Sequence, residues 1–479
     1  MRKAGQKMRK TKIVCTLGPA SNNEKTMRKM LRAGMNVARL NFSHGSHEEH
    51  KKTIERFRAV RDQMHMSAAV MLDTKGPEIR IKTLKDGSAV VHAGDTYVFT
   101  SREVEGDEKE VSITYPPLPG QLTPGTRILL DDGRISFTVM ETTETDIICR
   151  VDTDGAIKNR KSINIPNFPI DMPYLSEADK ADVIFGIEND VDFVAASFVR
   201  SREDVIALRK FLDYNGGHRI KIISKIENMQ GVQNFDRILE VSDGIMVARG
   251  DMGVEVDFEK LPGIQKQFIK KCYRAGKIVI TATQMLESMI SSMTPTRAEI
   301  SDVANAVFDG TSAVMLSGET AMGIDPPHVV EVMSKIAQQA EQDAFDMHVY
   351  SNINYEVDDE DTTNAICDAA CTTARDLHAK AIIAVTQSGY TARLVSKFRP
   401  LETIVAATPE EKTYQQLSMS WGVHPVIALD QKDTDSLFRH AIDCAKQIDA
   451  VAKGDTVVIT GGVPLNVNGT TNTLKVVTI

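Results

Sequence analysis

The sequence predicts a three-part α/β protein: a (β/α)8 barrel of the TIM type, a small antiparallel β-barrel inserted into it, and a C-terminal open α/β unit. Three observations predict this. Eight short apolar runs lie between Thr11 and Leu316, and each ends in a knot of polar, reactive residues. Helical spacing vanishes from about Pro77 to Met172, where short alternating β runs replace it. Strand and helix patterns alternate again from about Thr362 to Ile479.

The eight runs are Thr11–Cys15, Met35–Leu40, Ala68–Leu72, Val191–Ala196, Ile220–Ile223, Gly244–Ala248, Lys277–Ile280 and Ser312–Leu316. Strands buried on both faces read as near-continuous aliphatic runs, as these do. Functional groups at the carboxyl ends of eight parallel strands are what a barrel enzyme presents at its active face. Between the first strands, Asn22–Ala33 is apolar on one side, and Ser46–Met64 opens with Ser46 three before Glu49, a capping-box pattern.

The insert predicts strands at Thr96–Thr100, Val111–Tyr115, Arg127–Leu130, Arg134–Met140 and Asp146–Val151, with Asp131-Asp132-Gly133 as a hairpin turn. Closely spaced strands with turn residues argue a small antiparallel barrel. The βα rhythm resumes at Ser176, and Asp343–Glu360 reads as an acidic connector. The last unit opens with a helix near Thr362–Ala379. Its strands are expected at Ala381–Val385, Thr403–Ala407, Pro425–Leu429, Asp455–Thr460 and Leu474–Ile479, an open doubly wound sheet. The expected units are therefore 1–76 with 173–345, then 77–172, then 346–479.

Size and composition agree with this plan. A chain of 479 residues suggests about three domains at about 150 residues each. The 42% hydrophobic and 25% charged residues are ordinary for a globular protein. A net charge of −8 argues against nucleic-acid binding driven by bulk positive charge. The basic first twelve residues lack the apolar stretch of a signal peptide. No apolar stretch reaches the ~20 residues of a membrane helix. Six scattered cysteines form no metal-binding pattern and read as reduced structural thiols of a cytoplasmic protein.

The strand ends carry the chemistry. In Ser224-Lys225-Ile226-Glu227-Asn228, a lysine and a carboxylate two residues apart face the same way on a strand. They read either as a buried ion pair or as part of a site. Asp251, in Ala248-Arg249-Gly250-Asp251-Met252-Gly253, adds a carboxylate at the next strand end, and its flanking glycines allow backbone N–H groups to approach an anion. Two such carboxylates can hold one Mg2+ with water and substrate oxygens in its remaining positions. Arg39, Asn41 and Ser43 alternate along one segment, next to Asp73-Thr74-Lys75. Their oxygens suit a hard cation and Arg39 a phosphoryl group, although Asn, Ser and Asp also build ordinary turns. His44 lies in the same loop. Thr281 and Thr283, then Ser317 and Glu319, close the seventh and eighth strands, where hydroxyls can bind a carboxylate or relay a proton. In the last unit, Thr386-Gln387-Ser388-Gly389-Tyr390-Thr391 precedes a helix and reads as an anion site or a plain βα turn, and Gly469–Thr473 is a second hydroxyl-rich loop.

With these residues in view, the chain resembles the pyruvate kinases from about Thr11 to Ile479. The resemblance runs through Asn41–Gly45, Leu72–Arg80, Ile222–Asn228, Met246–Glu255, Thr281–Met289, Pro295–Glu299 and Val314–Thr320. It implies transfer of a phosphoryl group from phosphoenolpyruvate to ADP. It also implies that the insert is a lid and that the form is bacterial, without the extra C-terminal domain of some homologues. By resemblance, Glu227 and Asp251 hold Mg2+ (or Mn2+), and Lys225 and Arg39 grip the phosphoryl group. Asn41, Ser43, Asp73 and Thr74 would ligate K+. Gly250, Asp251 and Thr283 would seat the substrate carboxylate, and Thr283, Ser317 and Glu319 would relay a proton to the enolate. Asn41, His44, Arg80 and Lys161 would meet the nucleotide. Glu78 implies potassium dependence, since lysine there accompanies independence in the family. Thr386–Thr391 would take a phosphorylated effector, and a homotetramer is implied. One departure stands out: Lys161-Ser162-Ile163-Asn164-Ile165-Pro166-Asn167 lacks the two glycines the family often has here, which implies a stiffer hinge. Two other readings differ in class: a catalytically silent metabolite-sensing regulator, and another barrel enzyme acting on phosphoenolpyruvate or pyruvate.

Overall fold

The computed structural model describes residues 8–131, 133–350, 361–464 and 471–479. Eight strands close into a parallel barrel: Lys12–Thr16, Val37–Asn41, Ala69–Asp73, Phe193–Ala196, Lys221–Ile226, Gly244–Ala248, Ile278–Ala282 and Ala313–Leu316. Each pairs in parallel with its neighbours, and the first pairs with the last through Lys12↔Ala313. All eight expected runs are strands of this barrel, shifted by at most three residues at either end. Side chains alternate. Val14, Met71, Phe193, Ile223, Met246 and Ile280 fill the interior, and their neighbours face the surrounding helices. The helix His47–Gln63 opens with the expected capping box between Ser46 and Glu49.

The chain leaves the barrel after the third strand and builds a seven-stranded sheet. Its edges meet where Ile81 bridges Ile113, with Lys82 N–H donating to Ser112 O at 2.7 Å and Thr114 N–H to Arg80 O at 2.8 Å. Tyr97, Phe99 and Phe137 pack edge-on or tilted in its core. The expected antiparallel barrel needs two corrections. The pair Thr96–Thr100 and Glu110–Ser112 runs parallel. Ser88–Val91 and Gly155–Lys158 form a separate two-stranded ribbon. These two strands, Ile79–Arg80 and Ser162–Asn164 escape the sequence reading because two to four residues carry no readable alternation.

The C-terminal sheet has the order Val423–Ile427, Thr403–Thr408, Ala381–Val385, Thr456–Gly461, Thr473–Thr478. Four strands are parallel and the last is antiparallel. Separate apolar clusters cover its two faces. The first strand starts two residues before the expected Pro425. As an edge strand it tolerates a residue without an N–H donor. This unit docks on the barrel face opposite the polar strand ends. Gln415 accepts the N–H of Ala68 at 2.9 Å, Lys412 donates to Asp190 and Val191, and Met419 enters the barrel interior. The expected connector begins as the end of the helix Pro326–Asp346. Its residues 351–360, Gly469 and Thr470 of the second hydroxyl-rich loop, and Asp132 of the hairpin turn lie outside the described residues.

Candidate active site

Side chains at the carboxyl ends of neighbouring barrel strands converge because parallel pairing aligns those ends. Arg39 sits two residues above Val37, whose strand pairs with Asp73's strand in register Asn41↔Asp73. Its guanidinium donates to Asp73 Oδ2 at 2.6 Å and to Thr16 Oγ1 at 2.8 Å. The other oxygen of Asp73 takes the Lys225 ammonium at 3.0 Å. Lys225 also lies 2.9 Å from Glu227 Oε1 and donates to Ser197 Oγ at 2.7 Å. Glu227 Oε2 accepts the N–H of Phe198 at 2.6 Å. The result is one buried chain: Arg39, Asp73, Lys225, Glu227.

Its electrostatics follow from burial set against pairing. Burial alone would raise the Asp73 carboxyl, but Arg39 and Lys225 outweigh it and hold Asp73 below its usual value. Burial disfavours the Lys225 ammonium, yet Asp73 and Glu227 overcome that and keep it charged, with its pKa above the usual lysine range. Glu227 is the exposed weakness of the set. Burial pushes it up to about 7, Lys225 pulls it down, and the negative charge of Asp251 pushes it up again. A cation between Glu227 and Asp251 would cancel that repulsion. The oxygen-only donor set suits a hard ion, so the residues present fit Mg2+ or Mn2+. Among the described residues, no group of three or more His, Cys, Asp or Glu side chains is placed to hold a metal ion.

Asp251 comes from a short helix, Arg249–Glu255, which directly follows the sixth barrel strand. Neither Gly250 nor Gly253 takes a positive φ. The strand turns directly into a helix here because Arg249 is fastened behind it: its guanidinium reaches Ala282 O, Thr283 O and Asp302. The N–H of Gly250 donates to Thr283 Oγ1 at 2.8 Å. Thr283 holds φ at +67°, a left-handed value that costs a β-branched residue dearly. Beside it, both Glu319 oxygens are held by backbone N–H groups, of Leu286 at 3.1 Å and Ser317 at 2.6 Å. Burial still raises the Glu319 pKa. Ser317 Oγ is buried with no partner among the described residues.

Other expected residues sit further out. Asn41 Oδ1 accepts the N–H of Ser43 at 3.1 Å, and Thr74 Oγ1 accepts the N–H of Ser197 at 3.2 Å. Glu78 pairs with Arg80 at 2.8 Å, and burial raises the Glu78 pKa despite that partner. His44 is exposed. Lys161 lies on the inserted sheet against Asp131 at 2.6 Å. Asn167, where the family often has glycine, itself takes the left-handed conformation at φ +59°. Thr386 Oγ1 accepts the N–H of Gly389, and Thr391 shares a 2.7 Å hydrogen bond with Thr471. The two hydroxyl-rich loops of the last unit are thus neighbours.

The sequence reading missed Thr16, Ser197 and Phe198. Ser197 follows directly on the fourth apolar run, and the rule that picked out the other strand ends would have found it. The Phe198 contribution is a backbone N–H at φ +52°, which no residue type announces.

Two family models match the chain: "Pyruvate kinase, barrel domain" over residues 8–330 and "Pyruvate kinase, alpha/beta domain" over residues 364–477. The chain belongs to the pyruvate kinase family. It is a phosphotransferase. It is 48% identical to the pyruvate kinase of Clostridium acetobutylicum, over 98% of this chain and 99% of that one. Against the pyruvate kinase of Staphylococcus haemolyticus the identity is 47%, over 98% of this chain and 80% of the relative. Its fold superposes on the crystal structure of a pyruvate kinase from Cryptosporidium parvum with a TM-score of 0.90 at 40% identity, covering 98% and 96% of the two chains. No helix among the described residues is long and apolar enough to cross a membrane.

Proposed function

We propose that the buried chain Arg39–Asp73–Lys225–Glu227 is where this pyruvate kinase moves the phosphoryl group from phosphoenolpyruvate to ADP. Phosphoryl transfer demands positioning and charge neutralisation more than covalent chemistry. Arg39 and Lys225 meet the phosphoryl oxygens with two fixed positive charges, and Asp73 holds both cations in place. Glu227 and Asp251 hold Mg2+, which supplies charge neutralisation to substrate and phosphoryl oxygens. Asn41, Ser43, Asp73 and Thr74 offer oxygens to K+, with Glu78 as the neighbouring negative charge.

Gly250, Asp251 and Thr283 seat the substrate carboxylate. Strain at Thr283 supports that role, because strained backbone of this kind collects at ligand sites. After transfer, the enolate takes a proton at its methylene carbon. Thr283, Ser317 and Glu319 deliver it, and the partnerless buried Ser317 hydroxyl is the observation that favours a relay there. Residues 77–172 form a lid that brings Arg80 and Lys161 over the nucleotide, with Asn41 and His44 beneath, and excludes water so that hydrolysis does not compete.

Regulation enters through the last unit. Thr386–Thr391, with Thr471 against it, binds a phosphorylated metabolite. The docking of Lys412 and Gln415 on the barrel strand beginnings offers a path to the site. The working form is a cytoplasmic homotetramer. The observation that carries the whole reading is the direct contact of Lys225 with both Asp73 and Glu227. A lactate-dehydrogenase-coupled assay with phosphoenolpyruvate, ADP, Mg2+ and K+ tests it. Turnover that persists after chelating Mg2+ refutes the metal assignment. Titrating a sugar bisphosphate, a sugar monophosphate and AMP at subsaturating phosphoenolpyruvate tests the effector loop, and no response to any of them removes it.

A further inference from the structure

Both chain crossings between the barrel and the inserted sheet press on one loop, Ser197–Arg200, at the end of the fourth barrel strand. On the outgoing side, Gly76 takes φ +72° and packs so tightly that a Cβ there would lie 2.7 Å from Ser197 O. On the return side, Arg200 donates to Ile170 O at 3.1 Å and Met172 O at 2.7 Å. The buried Tyr174 hydroxyl donates to Ser197 O at 3.1 Å. Asp204 orients the Arg200 guanidinium and also accepts the Arg200 N–H at 2.9 Å. The Asn234 side-chain amide donates to Arg200 O at 2.9 Å.

The same loop holds two of the site's charges. Ser197 Oγ receives Lys225, and the Phe198 N–H fixes Glu227, from a left-handed backbone that leaves little freedom to drift. A shift of the return segment therefore pulls on Arg200, two residues from the N–H that sets Glu227. Packed interfaces pass small shifts on rather than absorbing them.

We propose that Arg200 is a positioning residue: through the loop Ser197–Arg200 it transmits the position of the inserted sheet to Lys225 and Glu227, so that closure completes the site. The proposal rests on the reading of the insert as a lid and of Glu227 as a cation ligand. It also assigns work to a side chain that touches neither substrate nor metal. Groups that orient ligands of a metal from outside commonly cost about 10–100-fold when lost.

The test uses the full-length enzyme and the variants Arg200→Gln, Arg200→Lys, Asn234→Ala and Glu227→Gln. Arg200→Gln should lower kcat about tenfold or more, with KM for phosphoenolpyruvate and Mn2+ affinity without nucleotide, read by electron paramagnetic resonance, within about threefold of the parent. Arg200→Lys keeps the charge but loses the fork, and should recover part of kcat. Peptide hydrogen exchange supplies the readout a structural role would not move. In the parent, Mg2+ with ADP and pyruvate should protect the insert and residues 197–200 and 227 together. In Arg200→Gln the insert should still gain protection and the loop should not. Asn234→Ala disturbs the loop while leaving the guanidinium on the return segment, and should keep the coupled protection. If Asn234→Ala shows the same kcat and exchange losses, or Arg200→Gln keeps both, the proposal is overturned. If Glu227→Gln binds Mn2+ as the parent does, the cation reading fails instead, and that outcome is visible without any Arg200 variant.

Discussion

Replacing Lys225 with methionine removes one positive charge and keeps most of the stem's volume. The Nζ it deletes lies 3.0 Å from Asp73 and 2.9 Å from Glu227. A unit charge about 4 Å from a phosphoryl oxygen, at an effective dielectric near 20, contributes about 4 kcal/mol. If that term belongs to the transition state, Lys225→Met should cut kcat by about a thousandfold, since about 1.4 kcal/mol is a factor of ten. The fold should survive at a cost. Losing one member of a buried pair typically costs about 3–5 kcal/mol. Here Asp73 keeps Arg39, and Glu227, already raised to about 7, can take up a proton. The loss should therefore sit near 3 kcal/mol, a fall in Tm on the order of 5–10 °C. The coupled assay gives the rate and calorimetry the stability. Lys225→Arg serves as a charge-keeping control. A folded Lys225→Met enzyme with kcat within tenfold of the parent would refute the charge-neutralisation argument.

Three further outcomes are expected. Glu78→Lys puts an ammonium in place of the carboxylate beside Arg80, and should leave activity in NaCl close to that in KCl, whereas the parent should be slow in NaCl. Thr283→Gly relieves a left-handed strain of about 1–3 kcal/mol, so calorimetry should find Tm unchanged or higher while kcat falls about a hundredfold. Loss of the Thr283 Oγ1 that accepts the Gly250 N–H opposes this gain, so a drop in Tm much larger than the cost of about 1–3 kcal/mol for that one unsatisfied donor would contradict the strain. Glu299 is partly buried, which raises its pKa, but hydrogen bonds from Ser288 and Thr296 outweigh that and lower it. A lowered acid contributes stability at neutral pH that is lost as the pH falls below the ordinary carboxylate range of about 4. Tm of Glu299→Gln should accordingly fall less steeply with acid than that of the parent, and parallel curves would contradict the assignment.

Much of this protein is local in origin and could be read in one dimension. Val14, Val70 and Ile245 belong to aliphatic runs whose burial on both faces marks them as parallel strands. Asp73, Lys225 and Glu227 stand out because reactive residues cluster where those runs stop. Ser46 and Glu49 announce their helix start. In contrast, strands as short as Ile79–Arg80 leave no period to read, and the parallel pairing of Thr96–Thr100 with Glu110–Ser112 depends on a partner, not on composition. The helix at Arg249 was hidden by its glycines, since what fixes it is the grip of the Arg249 guanidinium on Ala282 O and Thr283 O, more than thirty residues away.

The amino-acid order therefore determined the strands, the helix starts and the list of reactive groups at one end of the barrel, because period and capping act over a few residues. Only the closed barrel decided that Asp73 meets Lys225 across 152 positions, that Ser197 and a backbone N–H of Phe198 brace them, and that Arg200 reaches the inserted sheet. Those meetings depend on strand register and on left-handed turns, which are properties of the assembled sheet and of no single segment.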